Sequence, residues 1–215
     1  MTQLETNSMI REQCALVVSN ATLLAPLRGT TVLITGGTGF MGTWISELIA
    51  FLNDQHEFGV KLLLLSSQAE TFRKRAPHLA ERADIQLIRR DVRSIVDLPE
   101  AVHYVIHAGA SPDTRLHASD PLRVMQVISQ GTASVLEAAT RLPDLRKFLN
   151  VSSGLVYGAQ PHDMPGLAEG FIGGLDCASV SMVYAEAKRF GESLCAAYRS
   201  QHRLPIVCTR PFAFV

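Results

Sequence analysis

The chain has 215 residues, 20 Lys and Arg against 20 Asp and Glu, and 47% hydrophobic side chains, enough for one well-filled domain or one and a half. Zero formal net charge argues against a nucleic-acid binder, and the hydrophobic content argues against a disordered chain. No apolar run approaches the about 20 residues that cross a bilayer, and the opening MTQLETNSMI has no cationic stretch ahead of an apolar block.

Residues 1–28 precede the first apolar run and differ from the rest of the chain. Ile10, Cys14, Val17 and Val18 fall at i, i+4, i+7 and i+8, which predicts one amphipathic helix packed on the outside of a domain. From residue 29 onward short apolar runs recur: TTVLIT (30–35), VKLLLLS (60–66), DIQLI (84–88), AVHYVIH (101–107), RKFLNVS (146–152) and LPIVCTR (204–210). Runs that are apolar throughout suit strands covered on both faces. Between them lie helical periods, as in GTWISELIAFLN (42–53) with Trp44, Ile45, Leu48, Ile49 and Leu52, and a helix that Asp120 caps and Pro121 starts. Six strands alternating with helices predict an α/β fold, a doubly wound parallel sheet of Rossmann type. Residues 158–181 form a long connection without a period, and loops of that length inside a domain are often functional. Cys14, Cys177, Cys195 and Cys208 form no CxxC pair and stand at no metal-ligand spacing, so reduced thiols, no metal and a cytoplasmic location are expected.

The first strand runs directly into Thr35-Gly36-Gly37-Thr38-Gly39-Phe40-Met41-Gly42 and then a helix. Gly36, Gly39 and Gly42 have the GxxGxxG spacing of a dinucleotide site. Such a site uses its glycines to turn the chain, to admit the pyrophosphate and to pack helix on strand, with the helix N-terminus aimed at the phosphates. An acidic residue usually ends the second strand and holds the ribose 2′-hydroxyl. Here Ser66 and Ser67 stand there, so NAD and NADP both remain open. Arg73, Lys74 and Arg75 come next, either as a solvated helix face or as phosphate ligands.

Tyr184 and Lys188, four residues apart on a helix, have Cβ atoms about 6 Å apart on one face. A phenol titrates near pH 10, roughly 4 kcal/mol away from being a base at neutral pH, and a neighbouring ammonium supplies part of that shift. Ser153, at the end of the fifth strand, completes a Ser-Tyr-Lys set suited to proton transfer at a hydroxyl or keto oxygen. Neither Tyr157 nor Tyr198 has a lysine four residues later.

TVLITGGTGFMG, RRDVR, VIHAGAS, GTASVLEAA, FLNVSSGLVYG, YAEAKRFGESLC and IVCTRPFAFV occur in this order from residue 30 to the end. Together they resemble the extended short-chain dehydrogenase/reductases of the NAD-dependent epimerase/dehydratase family, which act on nucleotide sugars. The resemblance implies that Gly36, Thr38, Gly39, Phe40, Met41 and Gly42 hold the pyrophosphate end of the cofactor and Ser67 its adenosine side. Asp91 and Val92 would flank the adenine, and His107, Ala108, Gly109, Ala110 and Pro211 would line the cofactor site. His107 serves equally well as a hydrogen-bonded structural histidine. Ser153, Tyr184 and Lys188 would be catalytic, Tyr184 and Lys188 also touching the cofactor. A homodimer through helices near 121–141 and 182–202 is implied as well.

Two departures narrow the reading. Family dehydratases carry Asp-Glu, and decarboxylases Glu, directly after the residue matching Ser153, where this chain has Gly154 and Leu155. That favours a 4-epimerase or an NADP-dependent keto-sugar reductase, unless Asp163, Glu169 or Asp176 substitutes. Family members also continue into a smaller substrate domain, of which little is expected before Val215. The expected domain plan is a 1–28 helical extension and a 29–215 cofactor domain, and with it comes a third reading, a cofactor-binding fragment without activity.

Overall fold

The computed structural model describes residues 3–18, 21–110 and 113–212. Ser111, Ala213, Phe214 and Val215, which belong to the family-like stretches, lie outside the described residues. Six strands form one sheet: β1 (Thr31–Thr35), β2 (Lys61–Ser66), β3 (Ile85–Arg89), β4 (Tyr104–His107), β5 (Lys147–Val151) and β6 (Ile206–Thr209). Their order is β3-β2-β1-β4-β5-β6 and every pairing is parallel. This is the doubly wound sheet expected from the apolar runs. Its direction of winding reverses between β1 and β4, where ligands of such sheets bind.

Among the described residues, seven α-helices accompany the strands: α1 (Gln3–Val18), α2 (Phe40–His56), α3 (Ala69–Arg75), α4 (Pro77–Ala80), α5 (Thr114–Ser119), α6 (Pro121–Ala139) and α7 (Val183–His202). The period-2 geometry of a strand sends alternate side chains to opposite faces. Leu33, Leu63, Leu65, Val105 and Phe148 therefore join Val135, Leu136, Ala139 and Cys195 of α6 and α7 in one core. Val32, Ile34, Leu62 and Leu64 join Ile49 and Leu52 of α2, Phe72 of α3 and Leu79 of α4 in the other. Each face hides an apolar layer, so both residue parities along a strand must be apolar, as the sequence shows.

Asp120 accepts a hydrogen bond from the Arg123 amide and Pro121 opens α6, as its sequence predicts. On α1, Cys14 and Val18 are buried and Ile10 is half-buried, whereas Val17 is exposed. The helix thus turns a narrower stripe inward than its spacing suggests, and it rests against α2. Residues 158–179 have no helix or strand.

Candidate functional site

The turn after β1 carries three different constraints. Gly36 has φ 66°, in the left-handed region, and a Cβ there would stand 2.6 Å from the Ala108 carbonyl oxygen. A Cβ on Gly42 would collide with the Gly37 carbonyl, so this glycine lets α2 lie against the turn. Gly39, the N-cap of α2, is extended (φ −78°, ψ −176°), so its lack of a side chain is not demanded by backbone strain. A Cβ at Gly39 would meet only the Gly36 carbonyl, at 3.1 Å, and otherwise fill the open side of the cradle. No side chain caps α2, leaving its N-terminus directed at that space. The cradle fits a pyrophosphate. Gly37 is a constraint that the spacing did not reveal: its Cβ would lie 2.9 Å from both the Ile34 carbonyl and Leu64 Cδ2.

Around this turn, Thr38 is buried and its Oγ1 donates to Ser66 Oγ at 2.6 Å, tying the glycine turn to the end of β2. Phe40 is exposed, Met41 half-buried and Ser67 exposed. Arg73 turns outward to Glu70 (3.6 Å), whereas Arg75 turns back onto the glycine turn, its Nη2 2.5 Å from the Thr38 carbonyl.

The loop after β4 forms the adjoining wall. Ala108 abuts Gly36, Gly109 lies against Thr35, and Ala110 packs against the cluster of Val124, Ile128 and Ala187, as Tyr184 also does. Val92 is buried against Gly131 and Gly109, and its carbonyl accepts from Ser134. The Asp91 carboxylate is engaged by Arg93 at 2.6 Å and by the Arg93 amide, which hold it below the usual carboxylate range.

His107 is wholly buried. Thr132 Oγ1 donates to the Ile128 carbonyl, so it accepts from His107 Nε2 (3.1 Å), and Nδ1 then accepts from Thr35 Oγ1 (2.7 Å). Burial, assisted by the Lys188 charge, lowers its pKa to about 3, which keeps the ring neutral. Both nitrogens are therefore engaged inside the fold, which is the structural use of this histidine.

Ser153 follows β5 and caps the turn Gly154–Tyr157, its Oγ accepting from the Leu155 amide at 3.2 Å. α7 brings Tyr184 beside it. Burial pushes the Tyr184 phenol above its ordinary pKa, and the hydrogen bond with Ser153 opposes that. Lys188 is buried and donates to the Val151 carbonyl at 2.7 Å, with Nζ 5.8 Å from the centre of the Tyr184 ring. Burial lowers the lysine to about 8, with Glu192 partly restoring it. The three groups come together, Tyr184 and Lys188 from one face of α7 as their spacing predicts and Ser153 from the end of β5. In the protein by itself the phenol stays above its ordinary value, because burial outweighs the Ser153 hydrogen bond.

Three neighbours of this cluster were invisible in the sequence. The His117 ring of α5 stacks on the Tyr184 phenol, with centroids 4.4 Å apart and planes inclined by 16°. Phe212 covers Gly154 so closely that a Cβ there would come within 2.7 Å of the ring, and Phe212 also stacks near Tyr157. Arg210 joins Glu192 through a bond of 2.6 Å, binds the Glu169 carbonyl and lies over Tyr157, pinning β6, α7 and the long loop together. Although burial pulls the Glu192 carboxyl upward, Arg210 holds it below its ordinary pKa. Asp163, Glu169 and Asp176 are exposed, and Asp176 spends a carboxylate oxygen on the Ala178 amide. Among the described residues, no group of three or more His, Cys, Asp or Glu is arranged to hold a metal ion, and no helix is long and apolar enough to cross a membrane.

A parallel sheet with a glycine cradle at its switch point and a Ser-Tyr-Lys cluster at the end of β5 defines a dinucleotide-dependent class of α/β protein. The model of the NAD dependent epimerase/dehydratase family matches residues 32–215, and the chain belongs to that family. It is 28% identical over 182 residues to UDP-glucuronic acid decarboxylase 1 of Xenopus tropicalis, an alignment covering 84% of this chain and 40% of that protein. To dTDP-glucose 4,6-dehydratase of Streptomyces niveus it is 27% identical over 185 residues, covering 83% and 52%. The fold superposes with a TM-score of 0.68 on UDP-glucuronic acid 4-epimerase from Bacillus cereus, solved with UDP-glucuronic acid and NAD, at 23% identity over 84% of this chain and 56% of that one. The chain thus spans about half the length of the relatives it matches.

Proposed function

We propose that this chain supplies the cofactor-binding and proton-transfer half of an NAD(P)-dependent nucleotide-sugar enzyme, with 4-epimerisation as its favoured reaction. One observation carries the reading: Ser153, Tyr184 and Lys188 come together at the end of β5, on the same edge of the parallel sheet as the glycine cradle that follows β1. The cofactor, when bound, accepts and returns hydride. Tyr184 takes the proton of a sugar hydroxyl, Ser153 donates a hydrogen bond to the same oxygen, and Lys188 provides positive charge close to the phenol. The keto sugar so formed is then reduced on its other face, and Tyr184 returns the proton.

Elimination of water needs a further acid and base. Gly154 and Leu155 offer neither, and Phe212 fills the space over Gly154. This favours epimerase over dehydratase chemistry. A keto-sugar reductase with net cofactor consumption is the second reading, favoured by the absence of a carboxylate at the end of β2.

The test incubates the chain, alone and within any longer polypeptide that carries it, with NAD+ or NADP+ and a panel of UDP-, GDP- and dTDP-sugars. The reading expects interconversion of 4-epimers without net cofactor reduction, abolished in Tyr184→Phe. Undiminished turnover by that variant would remove Tyr184 as the base. Net NADPH oxidation with a keto sugar would instead select the reductase.

A further inference from the structure

The end of β2 and the glycine turn together form a group of donors with no carboxylate among them. Ser66 Oγ accepts from Thr38 Oγ1 at 2.6 Å and from the Gln68 amide at 3.0 Å. With both lone pairs used, the Ser66 hydroxyl has only its own hydrogen to offer, and among the described residues no acceptor takes it. Ser67 and Gln68 come next, both exposed. The nearest acid along the chain, Glu70, is turned outward and faces Arg73.

Into this neighbourhood α3 delivers Arg75. Its Nη2 donates to the Thr38 carbonyl at 2.5 Å and to Thr43 Oγ1 at 3.2 Å, and its guanidinium carbon lies 5.5 Å from the centre of the Phe72 ring. Among the described residues no carboxylate is bonded to Arg75. One nitrogen is thus anchored on the glycine turn, and among the described residues the other N–H groups of the planar fork are unspent. An Arg75 that served only a solvated helix face would extend from α3, as Arg73 does. Instead it is folded onto the residue that touches Ser66.

In a doubly wound sheet, the end of β2 receives the ribose of the adenosine half. A carboxylate there selects a free 2′-hydroxyl, and an arginine accommodates a 2′-phosphate. A fixed guanidinium with an adjacent hydroxyl donor matches a phosphate monoester dianion, and Arg is better suited to this than Lys because its donors are planar and pre-oriented. We propose that Arg75 and Ser66 form a subsite for the 2′-phosphate of NADP(H), so that this chain prefers NADP(H) within a family described as NAD-dependent. The proposal rests on the reading of the glycine turn as a dinucleotide cradle.

Calorimetric titration of the chain with NADPH and with NADH tests it, with 2′-phospho-ADP-ribose and ADP-ribose as probes lacking the nicotinamide. NADPH is expected to bind about tenfold tighter than NADH or better, the gain of charge-assisted bonds to one phosphate. The same ratio should hold between the two ADP-ribose probes. Arg75→Ala should erase that preference mainly by weakening NADPH, and Arg75→Lys should retain part of it. Ser66→Asp, which restores the carboxylate, should reverse the preference; it keeps the test decisive if an Arg75 variant fails to fold. Equal or tighter binding of NADH by the parent chain would overturn the proposal while leaving the cradle reading intact. An Arg75→Ala loss shared equally by both nucleotides would do the same. Binding of neither nucleotide or probe would overturn the cradle reading itself.

Discussion

The imidazole of His117 lies nearly flat on the phenol of Tyr184, with centroids 4.4 Å apart, and so covers one face of the proposed base. Burial is the main cause that holds the phenol above its ordinary pKa. Removing the imidazole wets the ring and favours phenolate. His117→Ala is therefore expected to lower the pKa of Tyr184, whereas His117→Phe, which keeps the cover, leaves it in place. Ultraviolet difference titration of each variant against its Tyr184→Phe double mutant isolates this one tyrosine. A shift upward in His117→Ala would contradict the argument.

Lys188 couples its proposed role to instability. Its pKa is lowered to about 8 in the fold from an ordinary value of 10.5, because burial disfavours the ammonium. Between those two values the unfolded chain holds a proton that the folded chain has released, so stability rises with pH across that window. Below pH 8 the whole cost is present, of order 3 kcal/mol at about 1.36 kcal/mol per unit. Lys188→Met should abolish turnover yet leave the melting temperature equal or higher at neutral pH, after allowing for the orphaned Val151 carbonyl. Thermal melts from pH 7 to beyond 10 should lose the rising limb in the variant.

His107 acts in the acid range. Its folded pKa is about 3 against an ordinary value of 6.5. Between these values the unfolded state takes up a proton that the folded state refuses, so stability falls as pH drops through this window. His107→Gln, which keeps one donor and one acceptor for Thr132 and Thr35, should be less stable at neutral pH but lose less on acidification. Denaturant unfolding at several pH values measures the difference in slope.

The glycines separate fold from binding. Gly36→Ala sets a side chain at positive φ and against the Ala108 carbonyl, and Gly42→Ala drives α2 off the turn. Both should destabilise the chain by about 1–3 kcal/mol. Gly39→Val faces the open side of the cradle and should keep the melting temperature within a few degrees while lowering NAD(P) affinity at least tenfold, a loss set by the β-branched side chain filling the phosphate space. Parallel melts and nucleotide titrations distinguish the two classes.

Gly154 probes the missing acid. Gly154→Asp must displace the Phe212 ring, and the chain is expected to lose stability by about 1–2 kcal/mol. The double variant Gly154→Asp with Phe212→Ala should recover most of it. A single variant as stable as the parent would show that the ring is not confined over Gly154.

By itself the sequence determined the six strands, the glycine turn and the Tyr184–Lys188 pair. Each of these is written in local terms: a continuous apolar run, a strand-to-helix glycine spacing, or one helical turn between two side chains. Ser153 was legible because it follows a strand whose neighbours were already placed. Tertiary structure alone decided the rest. His117 covers Tyr184 from a short helix some seventy positions earlier, and Arg75 returns to Thr38 from the far end of α3. Phe212 lies over Gly154 because β5 and β6 are neighbours, and both nitrogens of His107 close on threonines of β1 and α6. No period or spacing encodes such contacts. They arise when parallel strands bring their ends together, and the free energy of a hydrogen bond or a stacked ring then depends on which groups the fold makes adjacent.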